Sequence, residues 1–550
     1  MKRIWDAMAR KQTTIGSAAI ILVSMVFASR VLGLVRDRLL SARFGPDELG
    51  VYFAAFRLPN LIFELLVTGA LTSAFIPVFT KYITQGKEAE GWRMASILIN
   101  ISVGLLVCLS IPIFIWTESV ARFFAPGFSN DQILQMSQFT RIMIASQVLP
   151  LLVGNFFTGI LQSYTLFIIP AIAPVIYNAG IILGIVLFTP VYGLFAPVIG
   201  VGLGAILFMT IQIPLLLKIG YRHNASVDYT NEGVKEVGRL IGPRAFGLAV
   251  SQIDTTVDLM LSTLLGARMV TIFNFAQHLQ QLPVGLFGAS IAQAALPMLS
   301  KASIQEDMGN FKESIISAMH QILFFVLPSS VFFIVLRIPV VRLVFGASRF
   351  DWEATVLTGI TLSLFSLSLC AQSLVHVFAR GFYALYDTKT PVLISIISIS
   401  INTVLSIFFI QYQQLPVWSL GLSTSIASMF NASALYFVLA KRIRVLNTLE
   451  VWSSPIKMLF ASIMSGLAVY IPLKLFDELV FDTSRTFGLL LLTICASVTG
   501  LFVYIAISWL FDIGEVHSFF ALLRRVGKAA PVWLIPANEV VNDRDHDSVT

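Results

Sequence analysis

Arg30, Arg36, Asp37, Arg38, Arg43 and Arg57 all fall between Ala28 and Asn60, in a chain that is only 12% charged. Arg30 follows the apolar run Ile20–Ala28, and Arg57 follows the run Val51–Phe56. An arginine at the centre of a membrane helix costs roughly 2.5–3.5 kcal/mol even on lenient insertion scales, so it normally faces a cavity or a partner. Several guanidinium groups close together suit a phosphate-bearing ligand, because their planar forks match phosphate oxygens. For Arg38 and Arg43 the competing reading is snorkelling from a helix end to lipid headgroups. Arg30 and Arg57 have apolar flanks on both sides, which favours a cavity.

Arg30 and Arg36 are six residues apart, ~9 Å of rise and about 120° of rotation on an ideal helix. They share a cavity only if the helix bends, for which Gly33 offers a place. Arg57 lies ~15 Å along a helix starting near Asp47. Glu64, seven residues on, falls on nearly the same face and is an indirect partner; the plainer alternative is a helix-packing ion pair. Asp254 and Asp258 are spaced i, i+4 on one face. Two carboxylates at membrane depth call for a proton, a cation or an arginine. His278 is one candidate partner, and a purely structural pair is the rival reading. Arg141, Arg244, His376 and Arg380 are shallower and suit interfaces. Asp387 and Lys389 sit in a short loop, where a turn role is the default. There is no HExxH, Walker A, GxSxG or Cys/His metal spacing, so an enzyme is not indicated.

Membrane helices must position these groups. Hydrophobic residues make up 57% of the chain and the mean hydropathy is +0.84, far from a soluble composition. Apolar runs of about 20 residues are helix spans. The expected fold is an all-α polytopic membrane protein of about fourteen transmembrane helices, with two six-helix lobes plus two C-terminal helices. Residues 1–13 form a basic cytoplasmic start and 14–220 an N-lobe, spans one to six. Residues 221–235 form a cytoplasmic linker and 236–441 a C-lobe, spans seven to twelve. Residues 442–512 hold spans thirteen and fourteen, and 513–550 an amphipathic helix and polar tail. Span two, 48–82, would be ~50 Å long and must tilt, bend or project; Pro59, Gly69 and Pro77 are places to bend. The three cysteines, Cys108, Cys370 and Cys495, lie in apolar runs and read as buried thiols. Inner loops and ends collect 20 Lys and Arg against 10 in outer ones, which puts both termini in the cytoplasm. The net charge of +7 is explained by those loops and needs no nucleic acid.

A weak internal repeat supports the two lobes. Ser73–Lys81, SAFIPVFTK, matches Gln293–Lys301, QAALPMLSK. Gly159–Pro170 matches Gly381–Pro391, and Asn178 and Asn402 then fall at similar depths in spans five and eleven. Two like-oriented halves with a site between them form a transporter plan.

SRVLGLVRD (Ser29–Asp37), RLPN (Arg57–Asn60), GALTSAFIP (Gly69–Pro77), SYTLFIIPAIAP (Ser163–Pro174) and FYALYDTKTPV (Phe382–Val392) resemble the MurJ/MviN lipid II flippases of the multidrug/oligosaccharidyl-lipid/polysaccharide exporter superfamily. The resemblance covers nearly the whole chain. It implies two lobes in a V around a cationic cavity and a groove at spans thirteen and fourteen for an undecaprenyl tail. It also implies alternating access in the bacterial cytoplasmic membrane, with lipid II and membrane lipids as partners and a monomer as the working unit. The family's first-helix arginines match Arg30 and Arg36, with Asp37 beside the second. Two positions depart from the family: Leu61–Glu64 stands where an arginine follows LPN, and His278 stands for the span-eight arginine. Substrate contacts are thus expected at Arg30, Arg36, Asp37, Arg57, Glu64 and His278. The resemblance further implies no organic cofactor and a candidate sodium or proton site at Asp254 or Asp258, Asp387 and Thr403.

Other functions compete with lipid II flipping. A flippase for another lipid-linked oligosaccharide keeps the arginines. A cation-coupled multidrug antiporter of the same superfamily fits them less well, since they favour an anion. A membrane glycosyltransferase would show a large outer loop with catalytic groups, whereas these are short. A non-transporting scaffold with a degenerate cavity is the remaining class.

Overall fold

The computed structural model describes residues 15–65, 74–443, 449–479, 485–517 and 519–520. Among them every regular element is helical. The first lobe comprises α1 (Ile15–Arg43), α2 (Pro46–Phe63), α3 (Ile76–Thr84), α4 (Glu88–Ile115), α5 (Thr117–Phe124), α6 (Asn130–Ser163), α7 (Ile168–Tyr192) and α8 (Phe195–Lys218). The second comprises α9 (Glu232–Leu264), α10 (Ala267–Ile304), α11 (Met308–Val335), α12 (Arg337–Val344), α13 (Trp352–Ser366), α14 (Leu369–Ala384), α15 (Lys389–Tyr412) and α16 (Trp418–Arg442). α17 (Leu449–Leu479) and α18 (Thr486–Leu510) follow. Among the described residues ten helices are long and apolar enough to cross a membrane, or 11 if α13 and α14, bent by 42°, form one span. α2, with Asp47, Glu48 and Arg57 in 18 residues, carries more charge than that criterion allows. The expected number of about fourteen therefore exceeds the strict count. The N-terminal segment, Gly69 and the polar tail lie outside the described residues, and the amphipathic helix expected over 513–528 is described only at its start.

Local chemistry sets the helix ends. Pro46 opens α2 with Asp47 and Glu48 in its first turn, and Glu48 accepts from the Gly45 N–H at 2.8 Å; both features favour an N-terminus. Ser129 and Gln132 cap α6 reciprocally. Asn231, Asp307 and Asp351 cap α9, α11 and α13 with their side chains, the standard relief for unpaired N–H groups. Cys108 is exposed on α4, and Cys370 and Cys495 are half-buried, so the expectation of three buried thiols is corrected: these runs turn part of their surface outward.

The repeat recurs in the backbone. Gly86 (φ 71) and Glu306 (φ 55) end α3 and α10 in left-handed turns. In both, the next N–H reaches back five residues, Lys87 to Tyr82 and Asp307 to Ala302, at 3.0 Å. Thr165 (φ 61) and Tyr386 (φ 58) do the same after α6 and α14, with Leu166 bonding Leu161 and Asp387 bonding Phe382. The offset that aligns Pro77 with Pro297 also aligns Glu64, where span two widens into a π turn, with Val284, where the π turn Val284–Ala289 interrupts α10.

The face bearing Lys81, Lys301 and Arg442 is called the basic face here, and the one bearing Asp47, Arg268 and Asp351 the far face. At the far face the lobes meet backbone to backbone. A Cβ on Gly50 would lie 1.8 Å from the Ala267 carbonyl oxygen, and one on Gly127 2.0 Å from that of Thr263. One apolar core, including Leu49, Ala55, Phe275 and Phe345, is drawn from both lobes. Toward the basic face each lobe has its own core. There the linker is strapped to the first lobe: Asn100 donates to the Asn224 and Ser226 carbonyls at 2.9 Å, and Arg93 pairs with Asp228 at 3.3 Å. Val234 and Val237 at the start of α9 join the first lobe's core.

α7 and α8 pack through facing Gly-xxx-Gly pairs, Gly180/Gly184 and Gly200/Gly204; a Cβ on Gly184 would lie 2.3 Å from the Gly200 Cα. Such close approach is a main source of helix association in lipid. Gly184→Val is expected to cost ~1–3 kcal/mol by overpacking, read as a lower thermal-unfolding midpoint. Gly104→Ala, where a Cβ meets nothing within 4 Å, should leave the midpoint unchanged.

Candidate functional site: a charged cavity between the lobes

Asp37 is 1% exposed and accepts on both oxygens. Arg36 donates through Nε and Nη2 to Oδ1 at 2.9 and 2.8 Å. His278, on α10 of the other lobe, sits with Nδ1 2.8 Å from Oδ2. Arg36 Nη1 also donates to Asn178 Oδ1 at 3.3 Å, and Asn178 Nδ2 ties back to the Ser29 hydroxyl and carbonyl at 3.1 and 3.3 Å. A carboxylate buried in an apolar bundle is tolerable only when so paired.

Arg57 crosses the lobes a second time. Its Nη2 donates to the Gln252 carbonyl, Gln252 Oε1 and Thr256 Oγ1 of α9 at 2.9, 2.8 and 2.9 Å. Glu64 accepts from Asn60 Nδ2 at 3.0 Å and stands near Arg57 without a direct bond. Arg36, Arg57, Glu64 and His278, with the aromatic rings of Tyr52, Phe53 and Phe56 and the amides of Asn60, Gln252, Asn274 and Gln277, enclose a cavity of about 290 Å³.

Arg30 is not brought to this cavity. α1 runs unbroken past Gly33, and Arg30 is exposed, one and a half turns nearer the basic face. Arg38 is not a snorkelling side chain: Nη1 donates to the Arg342 and Leu343 carbonyls at 3.4 and 2.5 Å, capping the C-terminus of α12 in the other lobe.

Asp254 and Asp258 do not meet His278, which is engaged by Asp37. They face α15 instead. Asn402 Nδ2 donates to Asp254 Oδ1 at 2.9 Å and to both Asp258 oxygens at 3.3 Å; Ser406 Oγ reaches Asp258 at 3.5 Å and Ser423 at 2.6 Å. Thr403, half-buried on the same helix, is replaced at the carboxylates by Asn402 and Ser406, which lie one turn apart on the face toward α9. Asp387 is elsewhere. It caps the turn into α15, accepting from the Thr390 N–H at 3.0 Å and its hydroxyl at 2.8 Å, and pairs with Arg442 at 2.5 Å. Those bonds, the backbone one first, hold its carboxyl below the usual range. Among the described residues no three His, Cys, Asp or Glu side chains converge as a metal site.

Asn178, Asn402, Ser406, Gln252 and Thr256 are site residues that residue types alone did not single out. The signal for two of them was the matching depth of Asn178 and Asn402 in the repeat. A second, apolar cavity of about 330 Å³ opens beside α17, lined by Leu323, Leu327, Leu374, Met429, Pro455 and Leu459 among others. It is built from α11, α14 and α16 with α17, whereas the groove was expected between spans thirteen and fourteen.

Two repeated helical lobes, a charged cavity at their interface and a sealed far face define an alternating-access membrane transporter. Residues 40–504 match the family model for the lipid II flippase MurJ, and the chain belongs to that family. A protein of Borreliella burgdorferi named "Probable lipid II flippase MurJ" is 25% identical over 519 residues, 92% of this chain and 98% of its own length. A solved lipid II flippase MurJ in an inward closed conformation superposes with a TM-score of 0.74 at 26% identity, covering 90% of this chain and 98% of its own. An inward-facing multidrug resistance transporter of the MATE family shares the fold, with a TM-score of 0.63 at 16% identity over 78% of this chain and 98% of its own.

At the far face Arg268 binds Asp351, lies 3.3 Å from Glu353 and 3.6 Å from Asp47 of the other lobe. Burial opposes ionisation of Asp351, but the Ala354 N–H and Arg268 outweigh it and hold its carboxyl below the usual range. Asp351 is in the same lobe as Arg268 and acts on the seal by holding that arginine toward Asp47; this hold is full above the ordinary carboxylate pKa and is lost as pH falls through the lowered value. Arg268→Ala is expected to weaken the seal by about 1 kcal/mol, so that a cysteine replacing the buried Val270 reacts with a polar maleimide about fivefold faster, with no further gain at acid pH.

Proposed function

We propose that this chain carries lipid II, the undecaprenyl-diphosphate-linked peptidoglycan precursor, from the inner to the outer leaflet of a bacterial cytoplasmic membrane. The observation that carries the reading is the pair of arginines, Arg36 and Arg57, turned into one cavity between the lobes. Their fork geometry suits a diphosphate. A volume of about 290 Å³ accommodates a diphosphate but not a disaccharide-pentapeptide, so loading requires the lobes to part at the basic face. Arg57 is both a lock and a ligand in this reading. Phosphate oxygens replace the Gln252 and Thr256 oxygens it holds when empty, and the exchange lets substrate binding release α9. The apolar cavity beside α17 takes part of the ~55-carbon tail, at ~0.8 kcal/mol per buried CH₂. The basic face lies in the cytoplasm with both termini, and the monomer is the working unit.

The cycle is driven through Asp254 and Asp258. The surrounding donors are all oxygens or an amide, a set suited to a hard alkali cation. Asn402 presents its NH₂ group to both carboxylates, so a cation there requires the amide to turn its oxygen inward, whereas a proton shared by the two carboxylates leaves it in place. Either would bias one lobe arrangement only by binding the two states unequally.

Expression in a bacterium depleted of its own lipid II flippase tests the assignment. The chain should restore growth. Arg36→Ala and Arg57→Ala should abolish rescue at unchanged membrane level, with Lys only partly effective; unimpaired growth of the double alanine variant would overturn the diphosphate reading. Separately, cavity cysteines should change accessibility with sodium or pH in the parent, and Asp254→Asn with Asp258→Asn should remove that response. A response that survives both substitutions would leave the carboxylates a structural pair.

A further inference from the structure

His278 is the one imidazole among the residues that line the cavity. Imidazole ordinarily titrates at about pH 6.5. The carboxylate of Asp37 can only accept, so His278 Nδ1, 2.8 Å from Oδ2, carries a proton whether the ring is neutral or charged. The ring stands edge-on to Phe53 at 87° and lines the cavity. Nε2 is thus the only nitrogen left to change, and its state decides what the cavity wall offers. Neutral, Nε2 is a lone pair, which repels a phosphate oxygen. Protonated, it is a charged N–H donor.

The surroundings make that one proton decisive. α1 contributes Arg36 and Asp37, α2 contributes Arg57 and the phenol of Tyr52, the π turn after α2 contributes Glu64, and α7 contributes Tyr177 beside Arg36. On α9, Asp254 and Asp258 are turned to Asn402 of α15. Arg268 of α10 and Glu353 of α13 are engaged with each other at the far face. The two cavity arginines are balanced by Asp37 and Glu64, so the site is neutral or positive according to His278.

We propose that His278 is a protonation-dependent anion seat: binding of the lipid diphosphate draws one proton onto Nε2, and affinity is set by pH through this residue. The inference rests on the lipid II reading and adds a proton to its binding step. Linkage fixes the sign. The ligand prefers the protonated ring, so affinity rises as pH falls and, above the imidazole range, drops about tenfold per pH unit. The disubstituted diphosphate of lipid II stays fully ionised over this range and contributes no slope of its own.

The test is the affinity of the purified full chain in nanodiscs for lipid II between about pH 5.5 and 8.5, with proton release or uptake measured in weak buffer. The parent should lose about tenfold in affinity per pH unit at the alkaline end and take up close to one proton per lipid bound. His278→Arg, with a fixed charge, should bind tightly with a flat profile; His278→Gln should bind weakly with a flat profile. Binding by the parent without a pH slope and without proton uptake would overturn the inference and leave the lipid II reading intact. The same slope in His278→Arg would assign the proton to another group and also overturn it. No binding by parent or His278→Arg at any pH would overturn the lipid II reading, and this inference with it.

Discussion

A carboxylate placed inside a membrane bundle must be answered, and Asp37 is answered from both lobes at once. Arg36 binds one oxygen from the same helix, and His278 meets the other across the interface. Removing one partner of a buried charge pair commonly costs 3–5 kcal/mol, because the remaining charge is stranded. The lobes therefore cannot part here without a replacement for what they give up. Water entering from the basic face can replace the donor that Asp37 loses, and an anion can replace the α9 oxygens that Arg57 loses.

The two lobes use the same device with opposite charge. In the first, an amide on the fifth span, Asn178, accepts from the cation Arg36 of the first span. In the second, Asn402 donates to Asp254 and Asp258 on the equivalent helix, α9. An amide serves either sign because it carries both a donor and an acceptor. The first lobe thus turns its amide to a cation and the second turns its amide to two carboxylates. α9 connects them: its start belongs to the first lobe's core through Val234 and Val237, its middle holds Arg57 through Gln252 and Thr256, and its carboxylates lie on the second lobe. Asp254 and Asp258 and the residues that hold Arg57 thus lie on one continuous helix.

Small residues set where the lobes can touch. At the far face Gly50 and Gly127 let backbones meet across the interface, and the seal is completed by directional bonds: Arg38 to the end of α12 and Thr271 to the Pro46 carbonyl at 2.6 Å. Such bonds hold firmly when dry and exchange readily for water when the face opens. This suits a gate better than an apolar plug of the same area would.

The sequence by itself determined the class of protein and the inventory of its site. Apolar runs of membrane length, the excess of charge in the first two spans and the paired Pro–Lys motifs are local or periodic features, readable without contacts. They brought out Arg36, Asp37, Arg57, Glu64, His278, Asp254 and Asp258. What only the tertiary structure decided is who meets whom. Arg30 and Arg36 are close in sequence yet point apart, because α1 keeps its helical phase through Gly33. His278 belongs to Asp37 and not to the span-seven carboxylates, Asp387 belongs to Arg442, and the amides that complete both charge clusters come from helices more than 140 residues away. Pairing across such distances depends on how two lobes dock, and docking is set by glycine contacts and buried charge that no single helix encodes.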